Sequence, residues 1–178
     1  MNSTMAGETF KLQEETEVVV ETTSGDVVVR GWDRDDVRVD SEDRGSRPER
    51  DGDALHIRSG SHGSGDVVVS LPHHSDVIVR SVSGDLMIKD LVGTINLQTT
   101  SGDIDGQHLE GDLAVRTISG TVRFYESRLA SLTLQAVSGD CLIESPFSAE
   151  GAYDIHTVSG DVSLTLPQNQ ACSVRFRS

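Results

Sequence analysis

The 178-residue chain is short of several things. Its two cysteines, Cys141 and Cys172, are too few for a disulfide framework and lack the spacing of a zinc site. Its only lysines are Lys11 and Lys89; 29 acidic residues stand against 15 basic ones, and the formal charge is −14. Phosphate repels such a chain, so nucleic acid is not an expected partner, and an anionic lipid surface repels it too. No apolar run approaches the length of a membrane span, so no direct membrane insertion is expected. The first twenty residues lack the basic and apolar regions of a secretory signal. As written the chain reads as cytoplasmic, or as envelope-associated if it is part of a longer protein. Aromatic residues make up only 4%. The core must therefore come from Val, Ile and Leu, which favour strands.

What the chain does have is a repeat, the first feature to settle in any sequence. Ser-Gly-Asp recurs at Ser24, Ser64, Ser83, Ser101, Ser138 and Ser159, with Ser119-Gly120-Thr121 as a variant. From Ser64 onward the steps are 18 to 21 residues, and the step from Ser24 to Ser64 is two units. Apolar residues stand six and four positions before the Ser (Val77 and Val79, Ile95 and Leu97, Leu113 and Val115, Leu132 and Leu134). They stand again three and five positions after it (Leu86 and Ile88, Val122 and Phe124, Cys141 and Ile143), with Gly106 as an exception. Three before the Ser the residues are polar: Arg80, Gln98, Arg116, Gln135, His156 and Arg175. Each unit thus holds two period-two strands on either side of a corner.

One such pair cannot bury its apolar face alone; stacked copies can. The sequence predicts an all-β, single-domain parallel β-solenoid (a β-helix) spanning residues 1–178, with about nine coils of 18–21 residues. At ~4.8 Å per coil the rod is roughly 40 Å long. Right-handed winding is expected from the strong preference of parallel crossovers. An antiparallel sandwich is the competing arrangement, but it needs no phase-locked corner tripeptide.

The corners are Ser24-Gly25, Ser64-Gly65, Ser83-Gly84, Ser101-Gly102, Ser119-Gly120, Ser138-Gly139 and Ser159-Gly160. Gly reaches positive φ cheaply, and the Ser and Asp side chains can bond corner backbone groups that lie off the ladder. That is a structural role. The chemical alternative is a weak calcium ladder of Asp85, Asp103, Asp140 and Asp161, but the calcium-binding nonapeptide pattern is not matched. No metal site and no cofactor are expected.

Residues 10–63 read as an irregular N-terminal cap layer and 64–178 as regular coils. In 41–63 the charged first half, with Pro48, reads as an exposed loop. Val37 and Val39 before it look paired with Leu55 and Ile57 after it. At the far end Val174–Ser178 aligns with Val79–Ser83, which puts Ser178 at the next corner. The sequence gives that edge no polar cap, so either the chain continues past 178 or another copy covers it.

The search for chemistry finds no singular cluster. Cys141 and Cys172 fall at inward positions and read as core filler. His56, His62, His73, His74, His108 and His156 read as surface residues, with His73-His74 the only adjacent pair. No G-x-S-x-G elbow is present, and a corner Ser that recurs in every coil is a poor nucleophile candidate. Paired carboxylates would occur on every coil, which empties them of meaning as a glycosidase signal. Trp32 could stack on a sugar, but packing over the end of the core is the expectation. No catalytic residue is assigned.

The run Val29–Val39 (VRGWDRDDVRV), followed by Leu97–Asp103 (LQTTSGD) and Ile155–Asp161 (IHTVSGD), resembles the bacterial and archaeal "putative adhesin" domain family. The Leu71-Pro72 step is similar too. The resemblance runs from about Phe10 to the end and implies a β-helical domain often attached to envelope or regulatory modules. It brings no catalytic residues. The expected function is a non-catalytic, adhesin-like interaction or scaffold module with a protein or glycan partner. Alternatives are a self-assembling structural β-helix, pairing as a homo-oligomer through its C-terminal edge, and a polysaccharide-active β-helical enzyme.

Overall fold

The computed structural model describes residues 6–11, 16–41, 47–58, 65–165 and 174–177. Among these there is strand and no helix. The strands are β1 (Ala6–Lys11), β2 (Glu17–Thr22), β3 (Val27–Trp32), β4 (Asp36–Ser41), β5 (Arg47–Asp51), β6 (Ala54–Arg58), β7 (Val67–Pro72) and β8 (Val77–Ser83). They continue with β9 (Leu86–Ser101), β10 (Ile104–Ser119), β11 (Val122–Tyr125), β12 (Arg128–Ser138), β13 (Cys141–Glu144), β14 (Phe147–Ser159), β15 (Val162–Thr165) and β16 (Val174–Arg177).

The strands form two parallel ladders, one on each side of the Ser-Gly corner. Before the corner the order is β6-β2-β8-β9-β10-β12-β14-β16. After it the order is β7-β3-β9-β10-β11-β13-β15. β9 and β10 serve both ladders, each passing from one face to the other near a glycine, Gly93 or Gly111. This is a parallel β-solenoid. The apolar residues of both ladders point inward and meet in one core cluster that includes Val79, Ile88, Leu97, Ile104, Val115, Leu134 and Ile143.

The count of nine coils is too high. The unbroken winding is about four turns, each step carrying one corner glycine onto the last: Gly84, Gly102, Gly120, Gly139, Gly160. Dividing chain length by repeat length overcounts because the first part of the chain is not wound in order. The 54–72 coil lies outside the 17–32 coil, and β8 then docks on that coil's other side. The 17–32 coil is therefore sandwiched between two coils that follow it in sequence.

The end of the stack is built from antiparallel strands. β4 pairs with β7 and β1 pairs with β4, while β5 forms a hairpin with β6. Val37 and Val39 are therefore not paired with Leu55 and Ile57, contrary to the sequence expectation; they lie on different ladders. Nor is Pro48 in a loop: it sits in β5 at the edge of the sheet, where a residue without an N–H is tolerated. At the other end β16 is displaced by two residues from the expected register: Val174 pairs with Tyr153 and Phe176 with Ile155. Residues 166–173, which include Cys172, together with His62, Ser64 and Ser178, lie outside the described residues.

Candidate functional site

The corners come first, because they set everything else. Gly25, Gly84, Gly102, Gly120, Gly139 and Gly160 all have positive φ, between 99° and 131°. A Cβ on any of them would fall 2.0–2.6 Å from the carbonyl oxygen of the corner glycine one coil below. Glycine is thus required twice over, by backbone conformation and by close approach. The corner Ser hydroxyls reach across coils: Ser83 Oγ donates to the Thr23 carbonyl, Ser101 to Val82 and Ser119 to Thr100, at 3.3–3.4 Å.

The corner aspartates are engaged by backbone. Asp66 accepts the N–H of Asp26, Asp26 that of Asp85, Asp85 that of Asp103, Asp103 that of Thr121 and Asp140 that of Asp161, at 2.8–3.0 Å. Each carboxylate caps an amide of the adjacent coil. The Thr121 N–H, with help from Arg123, holds Asp103 below the ordinary carboxylate range despite partial burial. Among the described residues no group of three or more His, Cys, Asp or Glu side chains is arranged to hold a metal ion.

A second column lies two residues before the Ser. Buried hydroxyls of Thr22, Ser81, Thr99 and Thr117, and that of Thr157, donate to the carbonyl of the corner Ser at 2.9–3.3 Å. Ala136 holds this place in the Ser138 coil and has no hydroxyl to give.

On the opposite edge the stacking produces a row that sequence reasoning missed. Asp90, His108 and Glu126 all adopt left-handed backbone conformations, φ 50–57°. His108 bridges the two acids, with Nδ1 3.0 Å from Asp90 Oδ1 and Nε2 3.0 Å from Glu126 Oε2. His73 extends the row, its Nδ1 2.7 Å from the Asp90 carbonyl and its Nε2 3.3 Å from Asp33. The equal spacing of 18 residues between 90, 108 and 126 was the available signal. His73 and His74 are adjacent along the chain, whereas the partners of His73, Asp90 and Asp33, come from distant parts of it.

Trp32 is half-buried, donates Nε1–H to the Asp36 carbonyl and lies 4.5 Å beneath the Arg34 guanidinium. One face of its ring is therefore covered by Arg34. Cys141 is fully buried, and burial, reinforced by Asp140, pushes its thiol up to about 11.

The remaining surface feature is the outward face of the ladder before the corner. Val82, Ile118, Val137 and Val158 stand one residue before their Ser and are 47–66% exposed. They are four of the five large exposed hydrophobic residues among those described, the fifth being Met87 on the other face. Parallel to this ridge runs the polar column, in register from strand to strand: Arg80 beside Gln98, Gln98 beside Arg116, Arg116 beside Gln135, Gln135 beside His156. Arg116 Nε donates to Gln135 Oε1 at 3.2 Å, and Arg80 pairs with Glu21 at 3.1 Å. Glu21 is drawn below its ordinary range chiefly by its hydrogen bond to Arg58. The polar column was legible in the sequence. The apolar ridge was missed, although Val82, Ile118, Val137 and Val158 could have been aligned just as the inward residues were.

This geometry is that of a two-faced parallel solenoid with glycine-stacked corners, and its relatives agree. The model of the Toastrack family, DUF4097, matches residues 48–178, and the chain belongs to that family. No curated protein sequence matches it. A crystal structure described as a "putative adhesin" from Bacteroides fragilis is similar at 12% identity, with a TM-score of 0.52 over 99% of this chain and 98% of that one. A "putative cell adhesion protein" from Clostridium sporogenes has 8% identity and a TM-score of 0.47, covering 92% of this chain and 100% of that one. At 12% identity the likeness to the Bacteroides fragilis structure establishes fold and not role. Among the described residues no helix is long and apolar enough to cross a membrane.

Proposed function

We propose that this chain is a non-catalytic, adhesin-like interaction module that acts at the cell envelope. The observation that carries the reading is the exposed Val82–Ile118–Val137–Val158 ridge beside the Arg80–Gln98–Arg116–Gln135 column. Exposed apolar side chains that line up and are rimmed by polar groups mark binding surfaces. Their recurrence in four of five successive coils, with Thr100 in the place between Val82 and Ile118, suits an extended partner better than a single reacting atom. The names given to the structural relatives point the same way. The test is capture of purified envelope material by the immobilised chain. Saturable capture that falls sharply in the I118S/V137S/V158S variant supports the reading. Turnover of a polysaccharide without stable binding overturns it.

A further inference from the structure

We propose that the outward face of the ladder before the corner binds an extended acidic polysaccharide, laid along the stack and carrying about one carboxylate for every two sugars. This rests on the interaction-module reading and specifies its partner. Three features of the molecule converge on it.

The first is spacing. Arg80 and Arg116 are two rungs apart, with Gln98 between them and Gln135 beyond. At ~4.8 Å per rung the two backbone positions stand roughly 9.6 Å apart, about the length of a disaccharide, and the long side chains swing from there, Arg80 toward Glu21 and Arg116 toward Gln135. Guanidiniums grip carboxylates in a planar fork, and amides exchange hydrogen bonds with hydroxyls. An alternation of Arg and Gln matches an alternation of charged and neutral sugars. The Arg116–Gln135 bond holds one such pair in place.

The second is the ridge. Val82, Ile118, Val137 and Val158 flank the polar column on its corner side and are exposed, with Thr100 interrupting them beside Gln98. An aliphatic rail alongside hydrogen-bonding groups is what a sugar ring requires, since its C–H face is apolar while its rim is polar.

The third is charge. The chain carries −14, yet the column from Arg80 to His156 contains no carboxylate; the next rung beyond Arg80 is Glu21, which takes one N–H of its guanidinium at 3.1 Å and leaves the others to a ligand. The corner acids Asp85, Asp103 and Asp140 lie just round the Ser-Gly turn. The positive strip is thus narrow and bordered by negative charge. A single chain with sparse charges fits between those borders. A duplex nucleic acid, with a charge per ~1.7 Å of axis, overlaps them. A second copy docked face to face would set one guanidinium column against another, because such a contact is self-complementary in residue identity.

The test uses the full chain and three polysaccharide probes: oligosaccharides of alternating uronic acid and neutral hexosamine, a polyuronate with a carboxylate on every sugar, and neutral dextran. Binding is measured by calorimetry, alongside thermal melting of every variant. The alternating probe should bind most tightly, and R80Q/R116Q should weaken it at least about tenfold with the melting temperature kept. The K89Q/R128Q variant removes the same charge elsewhere and should bind like the parent. Binding of the alternating probe that survives R80Q/R116Q within about twofold overturns the proposal, as does equal binding of dextran. So does silence of all three probes: if envelope capture still depends on the ridge, this inference alone fails, and if capture is absent too, the interaction reading falls with it.

Discussion

The ring of Phe124 occupies the space that a side chain at Gly106 would fill. The two residues are direct partners in adjacent strands, and a Cβ built on Gly106 would lie 2.4 Å from Phe124 Cδ1. Every other described coil has an aliphatic residue at this level; here one coil gives up its side chain and the next supplies a double share. G106V alone should cost roughly 1–3 kcal/mol through overpacking. F124I alone leaves a void and should also destabilise. The double variant restores the aliphatic column, so its loss should fall short of the sum of the singles by about 1 kcal/mol or more. Urea unfolding of the four proteins measures this, and simple additivity would contradict the packing relationship.

Ala136 is the gap in the hydroxyl column. A136T supplies the donor that Thr117 and Thr157 give in their own coils, and should stabilise by about 0.5–1 kcal/mol. A melting temperature that rises by a few degrees is the expected reading. A lowered one would show that the site is too tight for the extra atoms.

Gly120 tests the corner column. In G120A the Cβ would lie 2.1 Å from the Gly102 carbonyl oxygen at a φ of 122°. Either the corner moves or the coils part, and a loss of roughly 3 kcal/mol or more is expected from strain and lost ladder bonds together. G52A is the control: Gly52 has positive φ of 60° but nothing within 4 Å of its Cβ, so it should lose only the conformational part.

Acid should loosen the stack through Asp103 and Glu21. Both carboxyls sit below their ordinary values in the folded chain, the first through the Thr121 N–H and the second through Arg58. Their contribution is present above the unfolded values of 3.8 and 4.5 and is lost as pH falls through the lower folded values. D103N, which cannot titrate, should show a shallower decline in unfolding free energy below pH about 4 than the parent. Identical slopes would remove Asp103 from the account.

Cys141 should be silent to thiol reagents in the native chain. In a C172S background, which leaves Cys141 as the single thiol, the folded protein should react only as fast as it opens, and fully once denatured. The raised thiol also predicts a stability that holds below pH 9.0 and declines as pH climbs toward about 11, since the unfolded chain ionises first. Rapid labelling of the native protein at neutral pH would contradict the burial.

The repeat made most of the coil legible, because an inward Val, Ile or Leu at fixed distance from Ser-Gly can belong to only one kind of stack. What it hid was order. Val18 and Leu55 are equally good inward residues, and nothing in their spacing says that the later one lies outside the earlier. The displacement of β16 was hidden for a related reason: Val174 and Phe176 satisfy the period-two pattern in either of two registers, and only pairing with Tyr153 and Ile155 decides. The outward surface was half legible. Arg80, Gln98, Arg116 and Gln135 stand out as polar interruptions, whereas Val82 and Ile118 follow the composition of ordinary strand residues and only their exposure in the stack sets them apart. His108 needed the third dimension, since its carboxylate partners are 18 residues away on each side.

The sandwiched position of the 17–32 coil bears on how the chain reaches its fold. From β8 onward each new coil can add to the one just made, across about 18 residues, so growth there is local and rapid. At the start, β8 must find a coil 59 residues upstream while the 54–72 coil claims that same coil's other side. Loop closure across such distances is expected to be the slow step of assembly. It also means that β2 and β3, which precede the family match, are part of the stack's interior: cutting the chain at residue 48 would pull a layer from within the stack and leave β6 and β8 facing an empty rung.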